Sequence, residues 1–447
     1  MKQNYLASLG LSPALASIVW LIPPLCGGIM LPVFGAISDQ CPATFFFFFS
    51  SGKRKPFIAG GALTLAASLL VFAWSGDLAR SLDGSCRPDR LHSCALARDI
   101  SVLSILGMNV SVQALQAGVR ALMVDVCGVE QQSQVNAWAG RMVNAANVVY
   151  YGLASMDLRR LLPFFGDTQL KVNCALCACI LLVTGGLTCS ISTEETATRP
   201  SRWSGIRERF RDVISVLLSP DLLHIQAIQF LTWFAWFPYM MYIRSYLDGF
   251  GMKSTPSTTV QYGSLALLFQ SVIALLVITL LPPLASRITK RRSAGDNTST
   301  ADGNGFDWKT HRNIWAAAQV IFASALLGIT LTSSGIVRVI LVGLTGTSWA
   351  VIQWVPFTFM TVKIRASSTA ACYLTYKEDS RNVGAMVGLF NLSIVIPQLV
   401  SMLLSSLIFS AMTDLLHGPA GCSRLIFFIS SLMSFLGVVL TTRLKFM

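Results

Sequence analysis

Four polar side chains in an otherwise apolar stretch, Asn109, Gln113, Gln116 and Arg120, recur at steps of four, three and four residues. At about 100° per residue they share one narrow face of a helix. Amides and a guanidinium inside an apolar segment are costly unless a cavity or a partner helix receives them. Interhelical glue is one use for such groups. Four in register, ending in an arginine, point instead to a cavity lining. The chemistry on offer is hydrogen bonding: amides both donate and accept, and a guanidinium donates in a planar fork. That combination suits the hydroxyls of a sugar.

Further polar positions follow the same logic. Arg141, Asn144, Asn147 and Tyr151 lie on a broader face of the next apolar segment. Asp125, at the end of the preceding one, is placed to pair with Arg120 or Arg141, or to form a static bridge. Gln226, Gln229, Trp233 and Trp236 recur at helical spacing, Trp349 and Gln353 are four apart, and Asn391 and Gln398 are seven apart. An indole face is a flat apolar platform for the C–H face of a pyranose. A lone tryptophan near a membrane end is usually an interfacial anchor, the reading for Trp74 and Trp203. For Trp233 and Trp236, on the face of the glutamines, both readings stand. The four histidines, at 92, 224, 311 and 417, are scattered. No Walker-type glycine loop, Ser/His/Asp arrangement or Cys/His metal spacing is present, so the reading is of no enzyme, no cofactor and no metal.

The elements that carry these residues are membrane helices. Of 447 residues 53% are hydrophobic and only 12% charged, against about 25% charged in soluble domains. The apolar residues come in blocks of about 20, enough to cross a bilayer as helices. Eleven spans are expected: residues 13–37, 56–74, 100–124, 135–156, 172–190, 222–247, 263–286, 314–333, 337–362, 383–408 and 424–440. The net charge of +13 comes from short segments between blocks, where it sets topology and does not indicate nucleic acid. Lys53, Arg54 and Lys55, the cluster from Arg199 to Arg211, Arg287 to Arg292 and Lys363 to Arg381 place their loops in the cytoplasm. Residues 202–211 are expected to form a basic amphipathic helix on the inner leaflet, and residues 287–312 to be disordered. Cys86 and Cys94 share a polar loop and could form a disulfide in an oxidising compartment. The other cysteines in apolar blocks, Cys174, Cys177 and Cys179 among them, read as small apolar residues.

Several segments, in order, resemble a known family. Gly35-Ala-Ile-Ser-Asp39 and then Gly52-Lys-Arg-Lys-Pro-Phe-Ile58 look like the loop between the second and third helices of the major facilitator superfamily. Gln116 to Asp125, Asn136 to Met142 with Asn147, Leu161 to Gly166, Trp233 to Pro238 and Gly388 to Gln398 look like fungal relatives of the plant sucrose and α-glucoside proton symporters, of the glycoside–pentoside–hexuronide type. The resemblance implies a twelve-helix fold, proton-coupled transport of sucrose or α-glucosides, and a functional arginine at Arg120. The chain departs from the family in three ways. A family helix would precede Leu9 to Pro13. Residues 41–50, with the run Phe45 to Phe49, interrupt a loop that is basic in the family. Ile243 and Ser245 stand where plant members carry acids.

The expectation is therefore an all-α polytopic membrane protein of the major facilitator fold, with eleven predicted helices and the first family helix unmatched. Residues 1–191 form the first bundle, 192–221 a cytoplasmic linker and 222–447 a six-helix second bundle. Its function is alternating-access symport of sucrose, maltose or a related glucoside with protons. Its partners are sugar, protons and the lipid bilayer, in the plasma membrane in preference to the vacuolar one. Substrate contacts are expected from Asn109, Gln113, Gln116, Arg120, Asn144, Asn147, Gln229, Trp233, Trp236, Gln353, Asn391 and Gln398. Coupling or gating is expected from Asp39, Lys53, Arg54, Lys55, Arg120, Asp125 and Arg141. The alternative is a transport-inactive sugar sensor, or a defective product of an incomplete gene model. The phenylalanine run is what a T-rich tract before a splice acceptor would encode if translated. Full-length transcript sequencing is expected to show a message without those codons. A mature message that begins at Met1 and retains codons 41–50 would contradict it.

Overall fold

The computed structural model describes residues 13–40, 52–83, 94–154, 156–194, 214, 218–249, 262–295, 307–364, 383–416 and 418–445. Among these the chain is helical, without strands. In chain order the helices are α1 (Pro13–Gln40), α2 (Lys55–Ala73), α3 (Ser75–Leu82), α4 (Ala95–Val126), α5 (Gln132–Ala154), α6 (Gln169–Ile191), α7 (Pro220–Gly249), α8 (Tyr262–Gly295), α9 (Trp308–Leu331), α10 (Gly335–Ile352), α11 (Val383–Phe390), α12 (Leu392–Met412) and α13 (Pro419–Thr442). Two turns of helix, at Leu158–Leu161 and Pro163–Phe165, lie between α5 and α6.

Nine segments of the described residues are long and apolar enough to cross a membrane. They include Gly335–Ile364, which continues α10 past a turn at Gln353 and Trp354, and Val383–Met412, which joins α11 to α12. Helices α5 and α7, of 23 and 30 residues, stand at two further expected spans and lack an equally long apolar stretch. At 1.5 Å per residue both exceed a hydrocarbon core of about 30 Å. Lipid leaves backbone groups no partner, so an apolar block of this length closes its hydrogen bonds within itself.

The structure refines the expected boundaries. Helix α4 starts at Ala95, five residues before the expected Ile100, because its first turn packs against the amphipathic α3 in what reads as a loop. The expected tenth span is broken at Asn391, whose backbone N–H is shared between the carbonyls of Val387 and Gly388. Cys94 is disulfide-bonded; its expected partner Cys86 lies outside the described residues. So do Phe45 to Phe49 and residues 202–211; of residues 287–312, in which disorder is expected, 296–306 lie outside the described residues, whereas 287–295 continue α8 and 308–312 begin α9.

The helices gather into two compact units. The first takes the described residues of 1–126, 157–214 and 380–395, and the second those of 127–156, 215–379 and 396–447. In the first, α1, α2, α4 and α6 close around Val19, Phe72, Ile105, Met108 and Cys174. Helix α11 joins them by crossing α1 at Gly35 and Gly384. A Cβ on Gly35 would meet the Gly384 oxygen at 2.2 Å, and one on Gly384 would meet the Gly35 oxygen at 2.5 Å. Small residues let membrane helices approach to backbone contact. In the second unit α5 packs on α8, α8 on α10, α9 on α10 and α13, and α7 on α13.

Candidate functional site

The first unit holds a buried charge network at one end of α1, α2 and α4. Arg54 immediately precedes α2, and its side chain is fully buried. Its Nη2 lies 2.7 Å from Asp39 Oδ1, at the end of α1. Its Nε donates to Asp125 Oδ2 at 2.8 Å, at the end of α4, and its Nη1 donates to Ser38 Oγ at 2.5 Å. Lys53 Nζ adds a contact of 3.4 Å to the same Asp125 oxygen. Burial alone would lower the Arg54 pKa; the carboxylates of Asp39 and Asp125 reverse this and hold it above the ordinary guanidinium value. A charge removed from water requires such pairing.

Asp39 also holds α11. Its Oδ1 accepts from the Gly384 N–H at 3.0 Å and its Oδ2 from the Ala385 N–H at 2.9 Å. These first amides of a helix lack intrahelical partners, and the helix end favours a negative charge. Glu194 does the same for α2, accepting from the N–H groups of Arg54 and Lys55 at 2.9 and 3.0 Å. Four of the expected gating residues, Asp39, Lys53, Arg54 and Asp125, thus converge, while Lys55 contributes its backbone. Glu194 is not among the residues that the sequence singles out. Its one sequence signal is an acidic residue at the mouth of a basic segment.

Further along the first unit, α4 presents the expected amide stripe. Gln113 is buried, Asn109 and Arg120 are half-buried and Gln116 is exposed. Asn109 donates to the Ile105 carbonyl of its own helix at 2.8 Å. Asn391 donates to the Gly27 carbonyl at 3.1 Å. A Cβ on Gly27 would lie 3.5 Å from Asn391 Nδ2 and 3.9 Å from Gln113 Nε2. Asn391, Gln113 and the α1 backbone therefore meet at one glycine. Asp125, open in the sequence to Arg120 or Arg141, is engaged by Arg54 and Lys53.

The second unit carries the remaining expected residues. On α7, Gln229 is fully buried and neither its Oε1 nor its Nε2 has a protein partner; Trp233 Nε1, one turn on, has none either. The same holds for Asn144 Oδ1 on α5 and Ser348 Oγ on α10. Buried polar groups are nearly always hydrogen-bonded, so each of these calls for an explanation. Beside them lies an aromatic cluster. Trp349 packs edge-on to Trp233 at 6.2 Å between centroids and tilted on Trp236 at 5.1 Å. Trp236 is 1% exposed and stacked on Phe322 at 4.1 Å, whereas Trp349 is half-buried. Tyr239 donates to Gln270 Oε1 at 3.0 Å and shares a hydrogen bond with Thr345 at 2.8 Å, which rigidifies the cluster. Gln353 and Asn147 are half-buried, and Gln353 Cβ lies 3.8 Å from where a Cβ on Gly140 would sit. Gln398 is half-buried on α12. Arg141 donates to two carbonyls of α8.

No family profile matches the chain. In sequence it is similar to the general α-glucoside permease of Schizosaccharomyces pombe, 25% identical over 91% of this chain and 82% of that protein. It is similar also to a sucrose transport protein of Oryza sativa subsp. japonica, 26% identical over 64% of this chain and 60% of that protein. Among solved structures it shares its fold with a major facilitator proton:xylose symporter, at a TM-score of 0.62, 11% identity, and coverage of 98% of this chain and 89% of the other. The fold and its long apolar helices are those of a multi-pass membrane protein. In sequence the chain is similar to α-glucoside and sucrose transport proteins, and its fold is that of the major facilitator transporters.

Replacing Arg54 by methionine leaves the buried Asp39 carboxylate without its cation and Asp125 with Lys53 alone; removing one member of a buried pair costs about 3–5 kcal/mol. Thermal melting of the purified protein in detergent should show a drop for Arg54→Met. The triple variant Arg54→Met, Asp39→Asn, Asp125→Asn should recover at least half of it. An unchanged melting point in the single variant would contradict the network's structural weight.

Proposed function

We propose that this protein carries out proton-coupled secondary transport of sucrose, maltose or a related α-glucoside by alternating access, in the plasma membrane. The observation that carries the reading is the set of buried, unpartnered polar atoms on Trp233, which packs on the half-buried Trp349, on Gln229 one turn before it and on Ser348 next to Trp349, with a further one on Asn144 of α5. Hydroxyls of a sugar can both donate to the amide oxygens and accept from the amide and indole N–H groups. The indole of Trp349 supplies a face for the sugar's C–H groups. The relatives named for α-glucosides and sucrose support that substrate class.

Within the first unit, the amides of α4 and Asn391 are a second set of groups proposed to bind sugar hydroxyls, and Arg120 ends their stripe. Its guanidinium stays charged at every physiological pH, so it binds hydroxyl oxygens or a carboxylate and does not carry the proton. Asp39 and Asp125 are the groups proposed to take the proton. Protonating either removes one of the charges that hold Arg54, and so loosens the junction of α1, α2, α4 and α11. A bridge made in one state and broken in another is how such a junction gates a pathway.

Radiolabelled maltose or sucrose uptake into cells lacking their own carriers tests this. Accumulation should exceed the external concentration and collapse on adding a protonophore. Arg120→Lys keeps the charge and loses the fork; at equal surface expression its uptake should fall about tenfold, the equivalent of ~1.4 kcal/mol. A lysine variant with near-normal uptake would mean that Arg120 merely snorkels to the headgroups.

A further inference from the structure

Helix α8 contains Pro282 and Pro283. A proline lacks the N–H that would bond the carbonyl four residues earlier. The two carbonyls so orphaned are those of Ile278 and Thr279. These are the two carbonyls that Arg141 of α5 reaches, Nε donating to Ile278 O at 3.2 Å and Nη2 to Thr279 O at 3.4 Å. The approach is prepared on both sides. Gly140, the neighbour of Arg141, lets α5 close on α8: a Cβ there would lie 3.1 Å from Ile278 Cγ1. The Trp138 ring, three residues before Arg141, lies 4.4 Å from the guanidinium carbon.

We propose that Arg141 is a positioning residue that completes the hydrogen bonding of α8 at its double-proline break, and that this bond is a latch between α5 and α8. A guanidinium is suited to the task. Its donors diverge in one plane, so a single side chain serves two successive carbonyls. Opened carbonyls in lipid are expensive, and a break is tolerated where a neighbouring helix satisfies them. The proline pair and the arginine, 141 residues apart, then form one device: the prolines create the acceptors and the arginine fills them. The latch deepens the transport reading, since separating α5 from α8 during turnover would have to break both bonds. The cap itself does not rest on that reading.

The test is a cycle of variants in the full chain, purified in detergent for melting and expressed in carrier-deficient cells for uptake. Arg141→Met should lower the melting temperature by at least about 2 °C and cut the maximal uptake rate about tenfold, with the half-saturating sugar concentration within twofold. Pro282→Ala with Pro283→Ala restores both N–H groups. Adding Arg141→Met to that background should leave melting and uptake unchanged within error. If the double proline variant does not accumulate, Pro282→Ala alone, which re-pairs only Ile278, should halve the melting effect of Arg141→Met. An Arg141→Met penalty of equal size with and without the prolines would overturn the proposal, because packing or charge would then account for it. A proline-dependent melting effect in a chain that shows no uptake in any form would uphold the cap and defeat only the transport reading.

Discussion

A polar group inside a membrane protein must find its partner within the protein, and this constraint organises the molecule. It explains why Arg54 is enclosed by Asp39 and Asp125. It explains why the first amides of α11 and α2 are met by the carboxylates of Asp39 and Glu194. It also explains why the carbonyls freed by Pro282 and Pro283 are met by Arg141. Against that background the exceptions stand out. Gln229, Trp233, Asn144 and Ser348 are among the described residues that present buried polar atoms to no protein partner, as Trp315 and Ser430 also do, and the first four are the candidate binding groups.

The same constraint connects structure to movement. A buried ion pair contributes little net stability compared with an apolar replacement, yet removing one member is severe. Asp39 holds both Arg54 and the start of α11, so its charge bears on two junctions at once. The close crossing of Gly35 and Gly384 leaves no room for a side chain between α1 and α11, and the Asp39 bonds fall on adjacent residues. That one carboxylate is thus joined to a helix crossing held by backbone contact.

Much of this was legible in the sequence, for identifiable reasons. Length and apolarity fixed the helices, because lipid admits few alternatives. The stripe Asn109–Gln113–Gln116–Arg120 was legible because its order is set within one helix. The pairing of Asp39 with the basic residues at 53–55 was legible from the segments around it. Partnerships that cross the chain were not. Nothing local ties Arg141 to Pro282, or Glu194 to Arg54. Whether Gln229 is satisfied, and whether Trp236 or Trp349 keeps an accessible face, depends on neighbours such as Phe322 that lie 86 positions from Trp236 in the chain. The break at Asn391 was hidden because the apolar run continues through it.

The central claim is that the unpartnered amide of Gln229 binds sugar. Equilibrium binding of maltose and sucrose to the purified protein, followed by tryptophan fluorescence, tests it most directly. Gln229→Leu keeps the side chain's approximate volume and removes its polar atoms, so the variant should fold and melt at least as well as the unaltered chain. The account predicts saturable binding by the unaltered protein, weakened at least about tenfold by Gln229→Leu, as loss of a hydrogen-bonding amide implies. Binding by the leucine variant as tight as that of the unaltered protein would contradict it.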